Sequence, residues 1–489
     1  MEEPVIVERP IYIRADGGVE GTDRIQRNGN LYTLTCSIIV NDSRSHIPSG
    51  IIVQRDDVII DGAGFSIQAK GFVDIGVDLA GRRNVTIKNL QIIGFNIGIN
   101  LWDSSGNRII SNNISESSYG LWIWNSTYNQ ISGNRITANK DYGVIVSFSS
   151  NNNILSNLIE ENDCGIYFEH SSNNMLRGNV LKENNKNIYI AFESLSDCIH
   201  DIDFSNMVEG KPVYYWVNRE NMVVPSDAGY VALINCTSML VQNVKVSNNG
   251  QGILLAYTKD STVANNVVEN NMYGILVWYS QNINITKNRV GFARLEGPEA
   301  FLPEGIRIIC SKNVSITKNY ISKTGNGIFL SGSTQVLISS NNITSNANKG
   351  IECIYSNHSR ICCNYVWNNT FAGINLVNSY ENHIIGNTLI ENNGWGIRLS
   401  GAVNNTFYHN SFINNKVEEG LQVSNLWYWG RPEPNVWDNG RQGNYWSDYK
   451  SRYPNATEIN NSGIGNTPYY INEVNIDRYP LIRPFKTPH

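Results

Sequence analysis

Apolar residues alternate with polar ones along most of this chain, in stretches of three to five positions that end at Asn, Ser or Gly. Alternation of this kind is typical of short β-strands separated by tight turns, because successive strand side chains point to opposite faces. The 3.6-residue periodicity of amphipathic helices does not occur in these stretches. The pattern therefore predicts an all-β protein built from many short strands.

The alternating stretches recur every 22 to 24 residues, and most of them begin with a glycine, a position that we call the glycine slot. The interval lengthens to 43 residues and later to 31 residues, which predicts insertions at 191–229 and 292–304. Three short strands per repeat, each stacked on the next repeat, predict a single-stranded right-handed parallel β-helix, a solenoid. The slot is occupied by Gly76, Gly98, Gly120, Gly143, Gly165, Asn187, Tyr230, Gly252, Gly274, Gly305, Gly327, Gly350, Gly373, Gly396 and Gly420.

Positions at fixed offsets from the slot predict the interior of the solenoid. The residue after the slot points inward and predicts a core column: Ile99, Leu121, Val144, Ile166, Ile188, Val231, Ile253 and Ile275. Asparagines at a later offset predict an inward ladder in which each side-chain amide bonds the coils above and below. Its members are Asn112, Asn134, Asn157 and Asn179, and later Asn319, Asn341, Asn364, Asn387 and Asn410.

The ends of the chain differ from the repeat. Residues 1–60 lack the glycine register but alternate, so they are predicted to form an N-terminal cap and the first coils. The β-helix is predicted to span 61–425. Residues 426–489 begin with the aromatic sequence LWYWGRPEPNVWDNGRQGNYWSDY, which predicts a compact C-terminal cap over the last coil.

The repeat, the insertion around KPVYYWVN and the terminal GNYWSDY and GIGNTPYYINEVNIDRYPLIRPF sequences together resemble the NosD-like β-helix family, in its asparagine-rich archaeal form. The repeat alone is shared with the wider pectate-lyase-like superfamily, including epimerases and phage tailspikes. The resemblance implies a secreted or cell-surface location and a role in carbohydrate binding or envelope assembly, and it transfers no catalytic residue.

Two metals are considered because of that resemblance, and neither is expected. Relatives often carry an aspartate-rich, calcium-like loop where this chain has NATEINNSGIGN, in which Glu458 is the single carboxylate. Copper sites need clustered His, Met or Cys, which are dispersed in this sequence. The eight cysteines are predicted to be buried thiols, with only one of Cys362 and Cys363 facing the core. No metal and no cofactor are therefore expected.

Charge and hydropathy limit the partners and the location. The net charge is −5 with acids and bases interspersed, so nucleic acid is not an expected partner. No apolar run reaches the roughly 18 residues of a membrane-spanning helix. The start, MEEPVIVERP, lacks the basic and apolar parts of a signal peptide, so the chain either begins after a removed signal or is cytoplasmic. An extracellular or cell-surface location is the expectation.

Aromatic residues on the outward face provide the candidate ligand-binding site. They are Trp102, Trp122, Trp124, Tyr167 and Tyr189. The 191–229 insertion, which contains Tyr214, Tyr215 and Trp216, could fold back and bury them. Alternatively, the rings line a groove and stack on the C–H faces of sugars, which makes a polysaccharide or glycan the possible partner.

Acid–base candidates lie at the edge of the aromatic residues. Glu169 and His170 could act as acid and base, with Asp163 and Glu193 as neighbouring carboxylates. A glycosidase needs two carboxylates about 5–10 Å apart. The outward charges Arg307, Glu352 and Arg398 are interpreted as surface ion pairs. The expected function is a non-catalytic carbohydrate-binding or structural protein; the alternative is a polysaccharide lyase, hydrolase or epimerase acting at residues 102–193.

Overall fold

The computed structural model describes residues 3–42, 47–292, 302–415, 422–426 and 433–485. These residues are almost entirely short strands and turns, stacked as parallel coils, so the predicted all-β right-handed parallel β-helix is confirmed. The predicted insertion at 292–304 lies largely outside the described residues, as does Gly420.

The chain divides into two compact units. The first unit comprises Met1–Val217, Asp227–Ile234 and Asn248–Gly250, and the second comprises Asn218–Ser226, Asn235–Ser247 and Gln251–His489. Between residues 218 and 250 the chain alternates between the two units, and this region includes part of the predicted 191–229 insertion. The predicted domain boundaries at residues 60 and 425 stay predictions.

Three sheets, A, B and C, form the coils of the first unit. Sheet A consists of Ile11–Ile13, Val19–Glu20, Ile47–Val53, Val73–Asp78, Ile97–Trp102, Tyr119–Trp124, Tyr142–Ser147, Cys164–Glu169 and Lys186–Ala191. Sheet B consists of Ile25–Asn28, Leu31–Leu34, Ile59–Asp61, Thr86–Lys88, Arg108–Ile110, Gln130–Ser132, Asn153–Leu155, Met175–Arg177 and Asp201–Ile202. Sheet C consists of Val5–Val7, Ile38–Asn41, Ser66–Lys70, Gln91–Ile93, Asn113–Ser115, Arg135–Thr137, Leu158–Glu160, Val180–Lys182, Met207–Val208, Lys211–Val217 and Tyr230–Ile234. A 3₁₀ turn spans Ser196–Cys198.

Three further sheets, D, E and F, form the second unit. Sheet D consists of Gln251–Ala256, Tyr273–Trp278, Glu304–Ile309, Asn326–Ser331, Lys349–Ile354, Ala372–Val377, Trp395–Ser400 and Val423–Leu426. Sheet E consists of Val223–Val224, Leu240–Gln242, Lys259–Ala264, Gln281–Thr286, Lys312–Thr317, Leu337–Ser339, Arg360–Cys362, His383–Ile385 and Thr406–Tyr408. Sheet F consists of Lys245–Ser247, Val267–Glu269, Arg289–Gly291, Tyr320–Ser322, Asn342–Thr344, Tyr365–Trp367, Thr388–Ile390, Ser411–Ile413 and Tyr445–Trp446. A helix, Tyr449–Arg452, and a hairpin, Tyr469–Tyr470 with Ile476–Asp477, follow.

The glycine slot exists because neighbouring coils approach closely at that point. A Cβ on Gly98 would lie 2.5 Å from the carbonyl oxygen of Gly120, one coil further on. The strands pair in the register that the repeat predicts, with Ile99 opposite Leu121 and Leu121 opposite Val144. The predicted core column is fully buried, so the apolar core runs through the interior of the coils.

The predicted asparagine ladder is confirmed. The backbone N–H of Asn134 donates to Oδ1 of Asn157 at 2.9 Å, and Nδ2 of Asn134 donates to the same oxygen at 2.9 Å and to the carbonyl of Ile109 at 2.8 Å. Each ladder asparagine therefore satisfies a backbone donor one coil away. Further ladders occupy other turns, including a serine ladder of Ser104, Ser126, Ser149 and Ser171.

The cysteines of the described chain are free thiols, and most of them are buried. Six of the eight cysteines are buried free thiols, and of the adjacent pair Cys362 is buried and Cys363 exposed, as predicted. Within the described ranges, no helix combines the length and apolar character needed to cross a membrane.

Aromatic residues close the end of the second unit's core. Trp437 stacks on Phe407 with ring centroids 4.3 Å apart, and Trp446 stacks on Phe412 at 4.3 Å. Tyr469 from the terminal hairpin stacks on Trp446 at 4.1 Å. These rings cover the last coil with apolar surface.

Candidate ligand-binding surface

A continuous array of aromatic rings lies along five consecutive strands of sheet A. The array, which we call the aromatic array, contains Trp102, Tyr119, Trp122, Trp124, Tyr142, Phe148, Tyr167 and Tyr189. All five aromatic residues predicted from the sequence belong to it. Strand register brings them together, since Trp102 pairs with Trp124 in the next coil and Tyr167 pairs with Tyr189.

The array has two branches that meet at Trp122. One branch runs from Trp102 to Trp124, with centroids 5.9 Å apart, and on to Phe148 at 4.8 Å. Trp122 lies 6.4 Å from Trp102 and 6.2 Å from Trp124.

The second branch consists of tyrosines. Tyr119 stacks on Trp122 at 5.3 Å and on Tyr142 at 5.7 Å. Tyr142, Tyr167 and Tyr189 then follow at intervals of 5.1 Å. Apolar rings therefore extend without a break across consecutive coils, with a pitch set by the strand spacing.

Part of the array is open. Trp102 is 46% exposed and Phe148 is 49% exposed, so the hypothesis that the insertion buries the aromatic patch is wrong for Trp102. The insertion's aromatic residues make other contacts. Tyr215 is buried 6.1 Å from the ring of His200, and the Tyr214 hydroxyl donates to Asp227 at 3.0 Å.

Polar groups lie among the rings. Nδ2 of Asn100 donates to Oδ1 of Asp78 at 2.9 Å, whereas Asn100 Oδ1 and Trp122 Nε1 have no hydrogen-bond partner within the described chain. Burial raises the pKa of Tyr142 well above its ordinary value, and burial followed by Asp141 raises that of Tyr119. Both phenols therefore stay protonated and can donate hydrogen bonds at any physiological pH.

The predicted acid–base residues are partly drawn into local contacts. Glu169 accepts a hydrogen bond from the Ser147 hydroxyl at 2.8 Å. Asp163 is paired with the Lys186 ammonium at 2.7 Å, which occupies its carboxylate. Glu193 is exposed beyond the end of its strand, and its backbone N–H donates to Asp197 at 3.1 Å.

His170 has a partner that the sequence did not indicate. Its Nδ1 lies 3.7 Å from a carboxylate oxygen of Asp197, and its ring stacks on Phe148 at 5.1 Å. Burial opposes ionisation of Asp197, but hydrogen bonds from Glu193 and Ser194, with the His170 charge, leave its pKa below the ordinary value. The structure thus brings His170 to Asp197 and to the array, while Asp163 is held by Lys186.

Four other residues of this surface were missed. Tyr119 and Tyr142 immediately precede the glycine slot, where simple alternation would place them on the inward face with Leu121 and Val144. Phe148 lies in the turn just after its strand. Asp197 carries no periodic signal, because it belongs to the non-repeating insertion.

The interpretation of Arg307, Glu352 and Arg398 as surface ion pairs is wrong. Glu352 is 5% exposed and accepts hydrogen bonds from Asn326 at 3.2 Å and Asn375 at 2.9 Å. Arg307 pairs with the buried Glu304 at 2.8 Å. The alternation indicates which face a residue occupies, but it cannot indicate what covers that face.

A metal centre is not found among the described side chains. They contain no group of three or more His, Cys, Asp or Glu residues placed to hold one ion. His358 and His383 do line one surface cavity of about 380 Å³ with Glu381 and Asn404. There, Nδ1 of His358 faces the Glu381 carboxylate at 3.0 Å.

The sequence matches the family model described as periplasmic copper-binding protein (NosD) over residues 15–211, 215–298 and 241–451. No curated protein matches it.

Solved structures that resemble this chain are β-helix proteins at low identity. The periplasmic alginate epimerase AlgG is 13% identical with a TM-score of 0.34, over 86% of this chain and 83% of that one. The Dettilon tailspike protein is 15% identical with a TM-score of 0.34, over 84% and 59%. A mannuronan C-5 epimerase module of Azotobacter vinelandii is 12% identical with a TM-score of 0.29, over 69% and 86%. At these values the likenesses carry no conclusion about function.

Proposed function

The chain belongs to the NosD family, and from that premise we propose that it acts outside the cytoplasm as a non-catalytic carbohydrate-binding protein. The family's description as periplasmic supports the location. The aromatic array on sheet A is the proposed binding surface, and its unbroken run of partly open rings is the observation that carries the proposal.

Ring geometry favours a sugar over other ligands. The C–H faces of pyranoses are apolar and flat, and they stack on indole and phenol rings whose edges remain available to polar partners. Rings repeat at every coil of the array, so successive sugar units of one chain could each meet a ring. A monosaccharide would use only one or two of them.

Polar groups at the array suit hydroxylated ligands. Trp122 Nε1 is a donor and Asn100 Oδ1 an acceptor, and each lacks a partner in the described structure. A sugar hydroxyl can both donate and accept, so it would satisfy either group with a small local adjustment. The protonated tyrosines add further donors.

The copper in the family description is not part of this proposal. Copper prefers clustered imidazole, thiolate or thioether ligands. The described residues do not fit such a site, because the two histidines at the surface cavity are joined there only by Glu381 and Asn404.

An enzymatic role is the second candidate, and one observation favours it. The His170–Asp197 pair beside Glu169 has the form of an oriented imidazole base at the edge of the array. New reducing ends or unsaturated products from polysaccharides, lost in His170→Ala, would establish this role. We expect no turnover.

Binding is tested by screening the full chain on an array of oligosaccharides and measuring the best ligand by calorimetry. Trp102→Ala should weaken binding about fivefold to tenfold, because an aromatic contact contributes roughly 0.5–1.5 kcal/mol beyond its buried area. Trp367→Ala is the matched control, since Trp367 is 37% exposed but belongs to sheet F.

Two results would count against the sugar-binding surface. One is the absence of any oligosaccharide ligand on the array. The other is an equal loss of affinity in Trp102→Ala and Trp367→Ala, which would mean that the aromatic array is not the binding surface.

A further inference from the structure

Sheet D carries a cluster of five charged residues and one asparagine, remote in sequence from the aromatic array. The cluster contains Glu304, Arg307, Lys349, Glu352, Asn375 and Arg398. Strand register aligns it along five consecutive coils, because Arg307 pairs with Phe329, Phe329 with Glu352, Glu352 with Asn375 and Asn375 with Arg398.

Both carboxylates of the cluster are already engaged. Glu304 pairs with Arg307 at 2.8 Å, with side-chain exposures of 7% and 25%. Glu352 pairs with Lys349 at 2.9 Å, with side-chain exposures of 7% and 17%. Each carboxylate thus has its own cation, and these two pairs are electrically balanced.

Arg398 is the cation that remains. Its Nη1 donates to Oδ1 of Asn375 at 3.2 Å, a neutral acceptor, and no carboxylate of the described chain pairs with it. Its Nε is enclosed and has no hydrogen-bond partner there. The pKa of Arg398 is lowered, because the effect of burial exceeds the opposing effect of Glu352.

A half-buried cation that no carboxylate of the described residues pairs with is costly, because neither water nor a counter-charge compensates it fully. Counting Glu304 as ionised, the cluster has three cations and two carboxylates. One additional monoanion would balance it. Burial raises the pKa of Glu304, with Arg307 opposing and Glu352 adding to the rise, so protonation there would only enlarge the positive excess.

We propose that this cluster is a second binding site, in which Arg398 receives the carboxylate of an acidic sugar. A guanidinium edge matches the two oxygens of a carboxylate. Because Nε is enclosed, the edge open to a ligand is formed by Nη2 and the second hydrogen of Nη1, and the described hydrogen bonds of Arg398 use only Nη1, once.

Aromatic residues next to Arg398 supply the rest of a sugar site. Phe371 lies under the guanidinium, with its ring centroid 5.5 Å from Cζ, and Trp395 meets Phe371 edge-on at 5.5 Å. An anionic group and an adjacent apolar face describe a uronic acid better than they describe inorganic anions. The site does not depend on the aromatic array of sheet A.

The test measures binding of oligosaccharides to the full chain by calorimetry at low ionic strength. It compares the affinity for oligogalacturonate and oligoglucuronate with the affinity for neutral galactose and glucose oligomers of equal length. We expect the acidic oligomers to bind at least tenfold more tightly and to weaken as salt is added. Arg398→Gln should weaken acidic oligomers by tenfold or more, and Arg398→Lys should recover part of that loss.

Control variants separate this site from the first. Arg289→Ala, which removes an exposed cation of sheet F paired with Glu269, should leave acidic binding unchanged. Trp367→Ala, which removes an exposed ring of sheet F, should also leave acidic binding unchanged. Arg398→Gln should not alter neutral oligosaccharide binding. A loss of acidic binding in Trp102→Ala as large as that in Arg398→Gln would assign the acidic ligand to the aromatic array and overturn the proposal.

Three further results would also overturn it. They are equal affinity for acidic and neutral oligomers, unchanged binding in a folded Arg398→Gln variant, and binding of phosphate or sulfate as tight as that of the uronates. The last result would leave an anion site with no preference for sugars.

Discussion

At the scale of single residues, the asparagine ladder shows most directly how sequence becomes structure. Asn157 accepts from the backbone N–H and the Nδ2 of Asn134, and it donates to Asn179 and to the carbonyl of Ile131, all at 2.9 Å. A side chain that both donates and accepts is required at this turn, because the backbone there has no strand partner. The fixed offset of these asparagines made the ladder predictable.

Replacing Asn157 with alanine should therefore destabilise the first unit strongly. The change leaves buried donors and acceptors on both neighbouring coils without partners, at roughly 1–3 kcal/mol for each unsatisfied group. We expect a loss of at least about 3 kcal/mol, measured as a shift of the urea unfolding midpoint by circular dichroism.

Asn153→Ala is the matched control for that experiment. Asn153 is half-buried on a sheet B strand four residues earlier, and it should change stability by less than about 0.5 kcal/mol. Equal midpoints for the two variants would mean that the ladder contributes little to stability.

Arg398 shows the limit of residue-level prediction. Its position two residues after the slot places it on the outward face, and outward charges are usually solvated. It is instead enclosed by residues of a neighbouring coil: its guanidinium lies over the ring of Phe371 and donates to Asn375, which is 23 positions away in the sequence. Alternation in the sequence carries no information about such cover.

At the scale of strands and turns, the glycine slot explains both the repeat and its exceptions. Glycine is required wherever the next coil of the same sheet places a carbonyl oxygen against the position. Asn187 occupies the slot of Lys186–Ala191, the last strand of sheet A, and its Nδ2 donates to the carbonyl of Asn248 at 2.9 Å. The departure from glycine in the sequence thus marks the end of a sheet.

A methyl group in the slot should be poorly tolerated. In Gly120→Ala the new Cβ would lie 2.5 Å from the carbonyl oxygen of Gly143 and 2.9 Å from the Ile136 side chain. Overpacking of this kind costs about 1–3 kcal/mol. The melting temperature should fall accordingly.

Gly18→Ala provides the comparison, because its Cβ would approach only flexible side chains, those of Asp16 at 3.2 Å and Arg14 at 3.8 Å. It should melt within about a degree or two of the wild type. A Gly120→Ala protein that melts like Gly18→Ala would show that the coils can separate at no cost.

The candidate site was predictable to the extent that it follows the repeat. Trp102, Trp122 and Tyr167 were found because they stand at fixed offsets after the slot. Asp197 was not, since the insertion has no period from which its position could be inferred. Repetition determines the fold and the positions of these rings, whereas Asp197 lies where repetition is interrupted.

At the scale of the whole molecule, the C-terminal segment determines how the last coil is closed. An open sheet edge invites pairing with other chains, so the end of a solenoid needs a cover. Trp446 provides it by stacking on Phe412, and its Nε1 donates to the carboxylate of Asp477 at 2.9 Å. The same oxygen of Asp477 accepts from the backbone N–H of Asn444 at 2.8 Å.

This arrangement makes the cover sensitive to pH. Burial raises the pKa of Asp477 to about 7, although hydrogen bonds from Asn444, Trp446 and Tyr479 oppose the rise. An unfolded aspartate has a pKa of about 3.9. Between these values the folded protein holds a proton that the unfolded chain releases, so the contribution of Asp477 is fully present below about pH 4 and lost as pH rises to 7.

Stability of the C-terminal cover should therefore fall from pH 5 to pH 7, by up to about 1.4 kcal/mol per pH unit from this group. Urea unfolding followed by tryptophan fluorescence at pH 5, 6 and 7 measures that slope, and light scattering detects association of opened ends.

Asp477→Asn removes the titration and should flatten the slope, whatever its effect on absolute stability. Glu473→Gln, an exposed carboxylate nearby, should keep the wild-type slope. If Asp477→Asn keeps it as well, another group controls the pH response, and closure of the last coil does not depend on the Asp477 proton.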